Sequence, residues 1–205
     1  MYKRQVLPYY CIRVLGDVDN LAGTQTWLGL AGTGTILGLV FSPLLLKKIG
    51  LYKTNLFTRI LVCVCYIPVI IGTMNGSFTM ILIGQVLFYI FQGPYLGTTG
   101  VLLGEICEYS RLKKGVFLEA TVSSCNSFGT KVGNAIGVAC VGWLLGMVNY
   151  DGTLAVQPQE SLNMISFIFA FFPLICQILI AVLLAFLDVE KTNKKLRAAQ
   201  QSVEA

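Results

Sequence analysis

Five apolar runs dominate this sequence, at about 24–46, 54–74, 77–103, 116–148 and 162–187, and each is long enough to cross a bilayer as a helix. Hydrocarbon offers no water to backbone N–H and C=O groups, so each run must close its own hydrogen bonds, as an α-helix does. A sixth run, 6–15 (VLPYYCIRVL), is too short to span and reads as the outer end of a helix whose beginning is absent. Composition excludes a soluble globule. The chain is 55% hydrophobic and 12% charged with a mean hydropathy of +0.72, whereas a soluble domain is roughly 25% charged. The expected fold is an all-α membrane protein with one transmembrane domain over 6–187 and a cytoplasmic tail over 188–205.

The net charge of +5 does not point to nucleic acid, because the basic residues sit in short clusters between apolar runs. Lys47, Lys48 and Lys53 lie in the 47–53 connection, Arg111, Lys113 and Lys114 in the 104–115 connection, and Lys191, Lys194, Lys195 and Arg197 in the tail. The alternate connections, 16–23, 75–76 and 149–161, have no Lys or Arg and carry Asp17, Asp19, Asp151 and Glu160 instead. By the positive-inside rule the basic side, with the C-terminus, is cytoplasmic. The tail is expected to leave the membrane as a short helix and then fray; docking of a partner is the other reading.

No His is present, so imidazole acid–base chemistry and most transition-metal sites are excluded. Cys63 and Cys65 are too close for a C-x-x-C pattern. Cys11, Cys107, Cys125, Cys140 and Cys176 stand singly, mostly within apolar runs, and read as small buried hydrophobes. Residues 1–5, Met-Tyr-Lys-Arg-Gln, are spelled by GTG-TAT-AAG-AGA-CAG, the end of a common transposase sequencing adapter. They are expected to be an adapter-derived scar on a truncated gene; the alternative is a genuine short basic N-terminus. No signal peptide is read here.

Lys131 is the costly residue. It lies near the centre of a 33-residue run, about 50 Å of helix, and a midplane Lys costs roughly 2.5–3.5 kcal/mol unless it meets polar surroundings or an acid. Snorkelling from that depth is the competing reading. Ser124, Ser127, Lys131 and Asn134 are spaced 3, 4 and 3 apart, which places them on one helix face, flanked by Asn126 and Thr130. Such a stripe offers the paired donors and acceptors that sugar hydroxyls need, or else bonds to a neighbouring helix. Gly129, Gly133 and Gly137 repeat every four residues and predict a face where another helix approaches closely. On the 77–103 run, Gln85, Tyr89, Gln92 and Thr99 form a second polar stripe. Gly93-Pro94 predicts a break there that serves a cavity wall or hinge, or only packing. Arg59 lies about five residues inside its run and is expected to snorkel to the cytoplasm. Arg13, near Asp17, reads as an outer-end surface charge. Glu105, Glu108, Tyr109, Arg111, Lys113 and Glu119 cluster at one mouth and read as a reversible gate, since exposed ion pairs are worth only about 0–1 kcal/mol each.

The stretch Gly104–Tyr150, GEICEYSRLKKGVFLEATVSSCNSFGTKVGNAIGVACVGWLLGMVNY, resembles the glycoside–pentoside–hexuronide:cation symporters, the melibiose-carrier group of the major facilitator superfamily. The matching positions are Glu105, Glu108, Tyr109, Lys113, Gly115, Glu119, Ser124, Lys131 and Gly133. The basic loop PLLLKKIGLYK (43–53) and the helix exit LDVEK are similar too, so the likeness covers nearly all of 6–195. Phe117 stands where the family often has Arg, Ala120 where it has Gly, Glu105 and Glu108 where it has Asp, and Asn149 where it has the Gly before Tyr150.

The resemblance implies the C-terminal six-helix bundle of a major-facilitator fold with its first helix truncated. It implies a bacterial multi-pass transporter of the cell (plasma) membrane that works by alternating access, with a sugar bound between two bundles. The coupling cation, Na⁺, H⁺ or Li⁺, would be held mostly by carboxylates of the missing N-terminal half, with no metal site in this half and Lys131 adjacent to the cation. The implied partners are the sugar, the cation, membrane lipid and that N-terminal half, with no nucleic acid and no cofactor. The expected substrate contacts are Lys131, Ser127, Asn126, Thr130, Ser124, Asn134, Gln92 and Tyr89. Competing functions are a superfamily relative moving a lipid or organic acid, a non-transporting sensor, and an intramembrane Mg²⁺-dependent transferase built on Glu105-x-x-Glu108; an enzyme is not expected.

Overall fold

The computed structural model describes residues 10–16, 21–152, 154, 157–187 and 189–204; residues 1–9, with the 1–5 reading, lie outside it. The described residues are helical with no strand. After a turn of helix at 10–13 come α1 (Leu21–Leu30), a 3₁₀ turn (Ala31–Thr33), α2 (Gly34–Ile49), α3 (Leu51–Met74), α4 (Phe78–Lys114), α5 (Glu119–Met147), α6 (Gln159–Ser166), a π turn (Phe167–Phe171), α7 (Phe172–Phe186) and α8 (Val189–Glu204). Five stretches are long and apolar enough to cross a membrane.

α4 differs from its sequence reading twice. Gly93-Pro94 does not break it, and it does not end near 103 but runs on through the expected connection to Lys114. Nothing between 104 and 114 stops a helix, and the stop comes at Gly115, whose φ of 67° only glycine adopts freely. Arg111, Lys113 and Lys114 fill the last turn, where cations complement the helix dipole. At the far end of α5, Asn149 takes φ 50°. Asn is one of the few non-glycine residues that tolerate this left-handed conformation.

The bundle is assembled by close backbone approach. Gly34, Gly38 and Ser42, spaced by four and all buried, form one stripe of α2. Against it lie Gly93 and Gly97 of α4. A Cβ on Gly93 would meet Gly38 Cα at 2.6 Å, and one on Gly97 would meet Ser42 Oγ at 2.7 Å. Pro94 explains part of this. It has no N–H for the carbonyl of Ile90, four residues earlier, and that carbonyl is the atom a Cβ on Gly38 would strike. The approach of a Gly Cα to a freed carbonyl is a recurring weak contact at helix crossings. α3 joins the other side of α4 through Gly84, whose added Cβ would meet Val69 Cγ2 at 2.5 Å. The expected close-approach glycines of α5 do not serve this way: around Gly129 and Gly133 the space is open.

The apolar core gathers Tyr10, Val62, Tyr66, Val69, Ile81, Phe88, Ile165 and Phe169. Tyr10 stacks on Phe169 of the π turn with ring centroids 4.2 Å apart, and Tyr66 meets Phe88 edge-on at 5.3 Å. Cys11 and Cys107 are buried as expected, and so is Cys65; Cys140 and Cys176 are half-buried, and Cys125 is exposed, because it rides on α5. That helix touches the core through Val141, Leu144 and Leu145, and Val141 is its one buried residue.

Gly38→Val should therefore destabilise the detergent-solubilised protein by about 1–3 kcal/mol, the usual cost of overpacking. Gly104→Ala, made where an added Cβ meets open space, should leave the thermal unfolding midpoint unchanged or slightly raised. Equal midpoints for the two variants would contradict the packing described.

Candidate functional site

A buried polar seam joins α3, α4 and α7. Asn55 and Arg59, four residues apart, share a face of α3. Thr98 Oγ1 of α4 donates to Asn55 Oδ1 at 2.6 Å. One turn deeper, Arg59 Nη1 donates to Gln92 Oε1 of α4 at 2.9 Å and to Gln177 Oε1 of α7 at 2.5 Å. The guanidinium carbon lies 3.5 Å from the centre of the Tyr95 ring, a cation–π stack that Arg favours. Arg59 is 2% exposed. It does not snorkel, because its helix begins at Leu51 and these partners hold its head inward. Among the described residues no carboxylate pairs with it, and its Nε has no hydrogen-bond partner.

Gln92 therefore faces Arg59 from within the bundle. Tyr89 is half-buried beside the core and makes an edge contact with Phe88 at 5.1 Å. The remaining expected substrate contacts are elsewhere. Ser124, Asn126, Ser127, Thr130, Lys131 and Asn134 all lie on α5 and are exposed. Thr130 Oγ1 turns back to the Asn126 carbonyl at 2.8 Å. The structure thus keeps the α5 stripe together on an open surface and sets Gln92 and Tyr89 in a different environment.

Most of the expected gate does come together, with members the sequence reading missed. Arg111 clasps Glu108 through Nε at 2.8 Å and Nη2 at 2.7 Å. Lys113 Nζ donates to Tyr109 Oη at 2.7 Å. From α8, Arg197 reaches Glu105 at 3.7 Å and Glu108 at 3.6 Å. Asn193 Nδ2 donates to the Glu105 carbonyl at 2.8 Å and to its carboxylate at 2.7 Å. Glu190 caps α3, accepting from the Tyr52 N–H at 2.9 Å while pairing with Lys194 at 2.7 Å. The tail is thus a helix, Val189–Glu204, docked through Glu190, Asn193 and Arg197. Its signal was the spacing of Glu190, Asn193 and Arg197 by 3 and 4, one face of a helix. Glu119 is exposed on the first turn of α5. At the opposite end Arg13 Nη2 donates to the Gly152 carbonyl at 3.0 Å, so it ties two segments together; Asp17 lies outside the described residues.

A family model described as MFS/sugar transport protein matches residues 3–191. The chain belongs to this family. It is 30% identical over 163 residues to the isoprimeverose transporter of Lactiplantibacillus pentosus, covering 80% of this chain and 34% of that protein. It is 29% identical over 167 residues to YagG of Escherichia coli strain K12, a protein named as a glycoside/cation symporter, covering 81% of this chain and 35% of that protein. The chain spans about a third of the length of these curated relatives. No solved structure is a significant match.

Within this MFS chain, Arg59→Ala should be the most damaging single change in the seam. It would leave a void and orphan the Gln92 and Gln177 carbonyls, at a cost of about 2–4 kcal/mol. Arg59→Lys should recover part of that loss, since it restores charge but not the planar fork. Thermal unfolding of the detergent-solubilised protein reads both; an unchanged midpoint for Arg59→Ala would contradict the role given to the seam.

Proposed function

We propose that this chain is the C-terminal bundle of a sugar:cation symporter that moves a glycoside, pentoside or hexuronide with Na⁺, H⁺ or Li⁺ by alternating access. The observation that carries the reading is α5. It is long enough to span, has one buried residue, and carries Lys131 among five exposed hydroxyl and amide side chains. Turned toward lipid, that face would cost roughly 2.5–3.5 kcal/mol for the lysine alone. As one wall of an aqueous cavity, completed by a second bundle of the longer protein, it carries no such penalty. Transporters of this architecture rock one bundle against another around a shared site.

Lys131 then serves as a fixed ammonium that trades partners with front-bundle acids as the cation enters and leaves. Ser124, Asn126, Ser127, Thr130 and Asn134 offer donors and acceptors to sugar hydroxyls, with Gln92 and Tyr89 entering the site as the bundles move. The names of the two relatives support a glycosidic substrate, and one of them supports cation coupling. The cluster of Glu105, Glu108, Tyr109, Arg111, Lys113 and Arg197 is the cytoplasmic gate, and its exposed pairs are weak enough to open reversibly. Glu119 joins it when α5 closes in. The C-terminus faces the cytoplasm of a bacterial cell. The transferase alternative loses ground because Glu105 and Glu108 are already engaged by Asn193, Arg111 and Arg197, which leaves no open carboxylate pair for Mg²⁺.

In the full-length protein, Lys131→Ala should abolish cation-driven glycoside uptake into vesicles while leaving the protein folded in the membrane; wild-type uptake would end the reading. Glu119→Lys should shift the balance between inward- and outward-open forms, as read by accessibility labelling. Residues 6–205 expressed alone should give no coupled uptake, because one bundle has nothing to rock against.

A further inference from the structure

The docked tail creates a charged surface that the transport cycle does not use. Lys47 and Lys48 end α2, Gly50 makes the turn, and Lys53 sits in the first turn of α3. Glu190 brings the start of α8 onto this turn: its carboxylate accepts from the Tyr52 N–H at 2.9 Å and lies 3.1 Å from where a Cβ on Gly50 would be. Tyr52 Oη donates in turn to the Ala185 carbonyl at the end of α7, at 2.9 Å. Lys47, Lys48 and Lys53 are all exposed. The acid at this turn, Glu190, is already committed to Lys194 and to the α3 N-terminus, so it cannot neutralise them.

The setting of this patch decides what it fits. Directly beside it, where the spans leave the hydrocarbon, Phe186 is 84% exposed and Leu44 56%. Cations next to bare apolar surface, at the depth where headgroups lie, match an amphiphile with an anionic head and acyl tails. We infer that the turn at Gly50 forms a binding site for an anionic phospholipid, its phosphate held by Lys47, Lys48 and Lys53 and its chains lying along α2 and α7. The α3 N-terminus is not the anion site, because Glu190 occupies it. This goes beyond the transport reading and is independent of which substrate moves.

The test uses the full transporter in nanodiscs, where both leaflets have the same composition and orientation does not enter. Native mass spectrometry after mixing phosphatidylglycerol with phosphatidylcholine should show phosphatidylglycerol retained on the wild type. Replacing Lys47, Lys48 and Lys53 together by Gln should weaken that retention by about tenfold or more, since each lysine near a charged surface contributes roughly fivefold. The preference should fall as salt rises. These lysines are exposed, so the unfolding midpoint of the triple variant in detergent should match the wild type, which separates lost binding from lost fold. Equal retention of the two lipids by the wild type, an undiminished preference in the triple variant, or full displacement of the lipid by inorganic phosphate would each overturn the inference.

Discussion

Everything in this bundle rests on how closely α2 and α4 approach. Lipid is as apolar as Leu, so spans gain nothing by merely hiding apolar side chains from it, and association depends on contact and on polar links. Gly34, Gly38 and Ser42 supply the contact by removing side chains where Gly93 and Gly97 arrive. The same crossing orders the rest. It fixes the depth of α4, and α4 then sets Gln92, Tyr95 and Thr98 at the levels where Asn55 and Arg59 of α3 meet them.

The polar links divide by depth. In mid-bundle, Arg59 rests on two amide oxygens and an aromatic face, a shell that satisfies much of its hydrogen bonding without a second charge. Near the basic end, carboxylates and cations meet at partly exposed positions, where water screens them and pairs exchange at little cost. The interior of the bundle is thus held more firmly than its mouth.

Much of this was legible from the residues. Apolar run length placed the spans, and the alternation of basic and acidic connections matched their ends. Glu105, Glu108, Tyr109, Arg111, Lys113 and Glu119 read as one group because they lie close in sequence; with 104–114 helical, Arg111 pairs with Glu108 and Lys113 with Tyr109 one turn away. Arg59 was misplaced because depth in a run does not reveal that Gln92 and Gln177, 33 and 118 residues away, converge on it. The glycines of α5 were assigned a packing role on spacing alone, whereas Gly34, Gly38, Gly93 and Gly97 show the same spacing and do pack. Periodicity identifies a smooth face but not the helix that fills it. The reach of α4 to Lys114 was hidden because a charged stretch reads as a loop when its only true breaker is Gly115.

The π turn at Phe167–Phe171 has a bearing on how this helix tolerates change. A π turn holds one residue more than an α turn, so the chain beyond it is offset by about 100° from a regular helix. Upstream, Ile165 sits in the core; within the turn, Phe169 stacks on Tyr10; downstream, Gln177 meets Arg59. These contacts need two different phases of one rod, and the wide turn is the joint that reconciles them. Loss of a single residue within the turn would let it relax to α geometry with both phases kept, whereas loss of one between the turn and Gln177 would leave an equally apolar helix, indistinguishable by hydropathy, yet rotate Gln177 by about 100° off its partner. The helix is therefore sensitive to length where it is insensitive to composition.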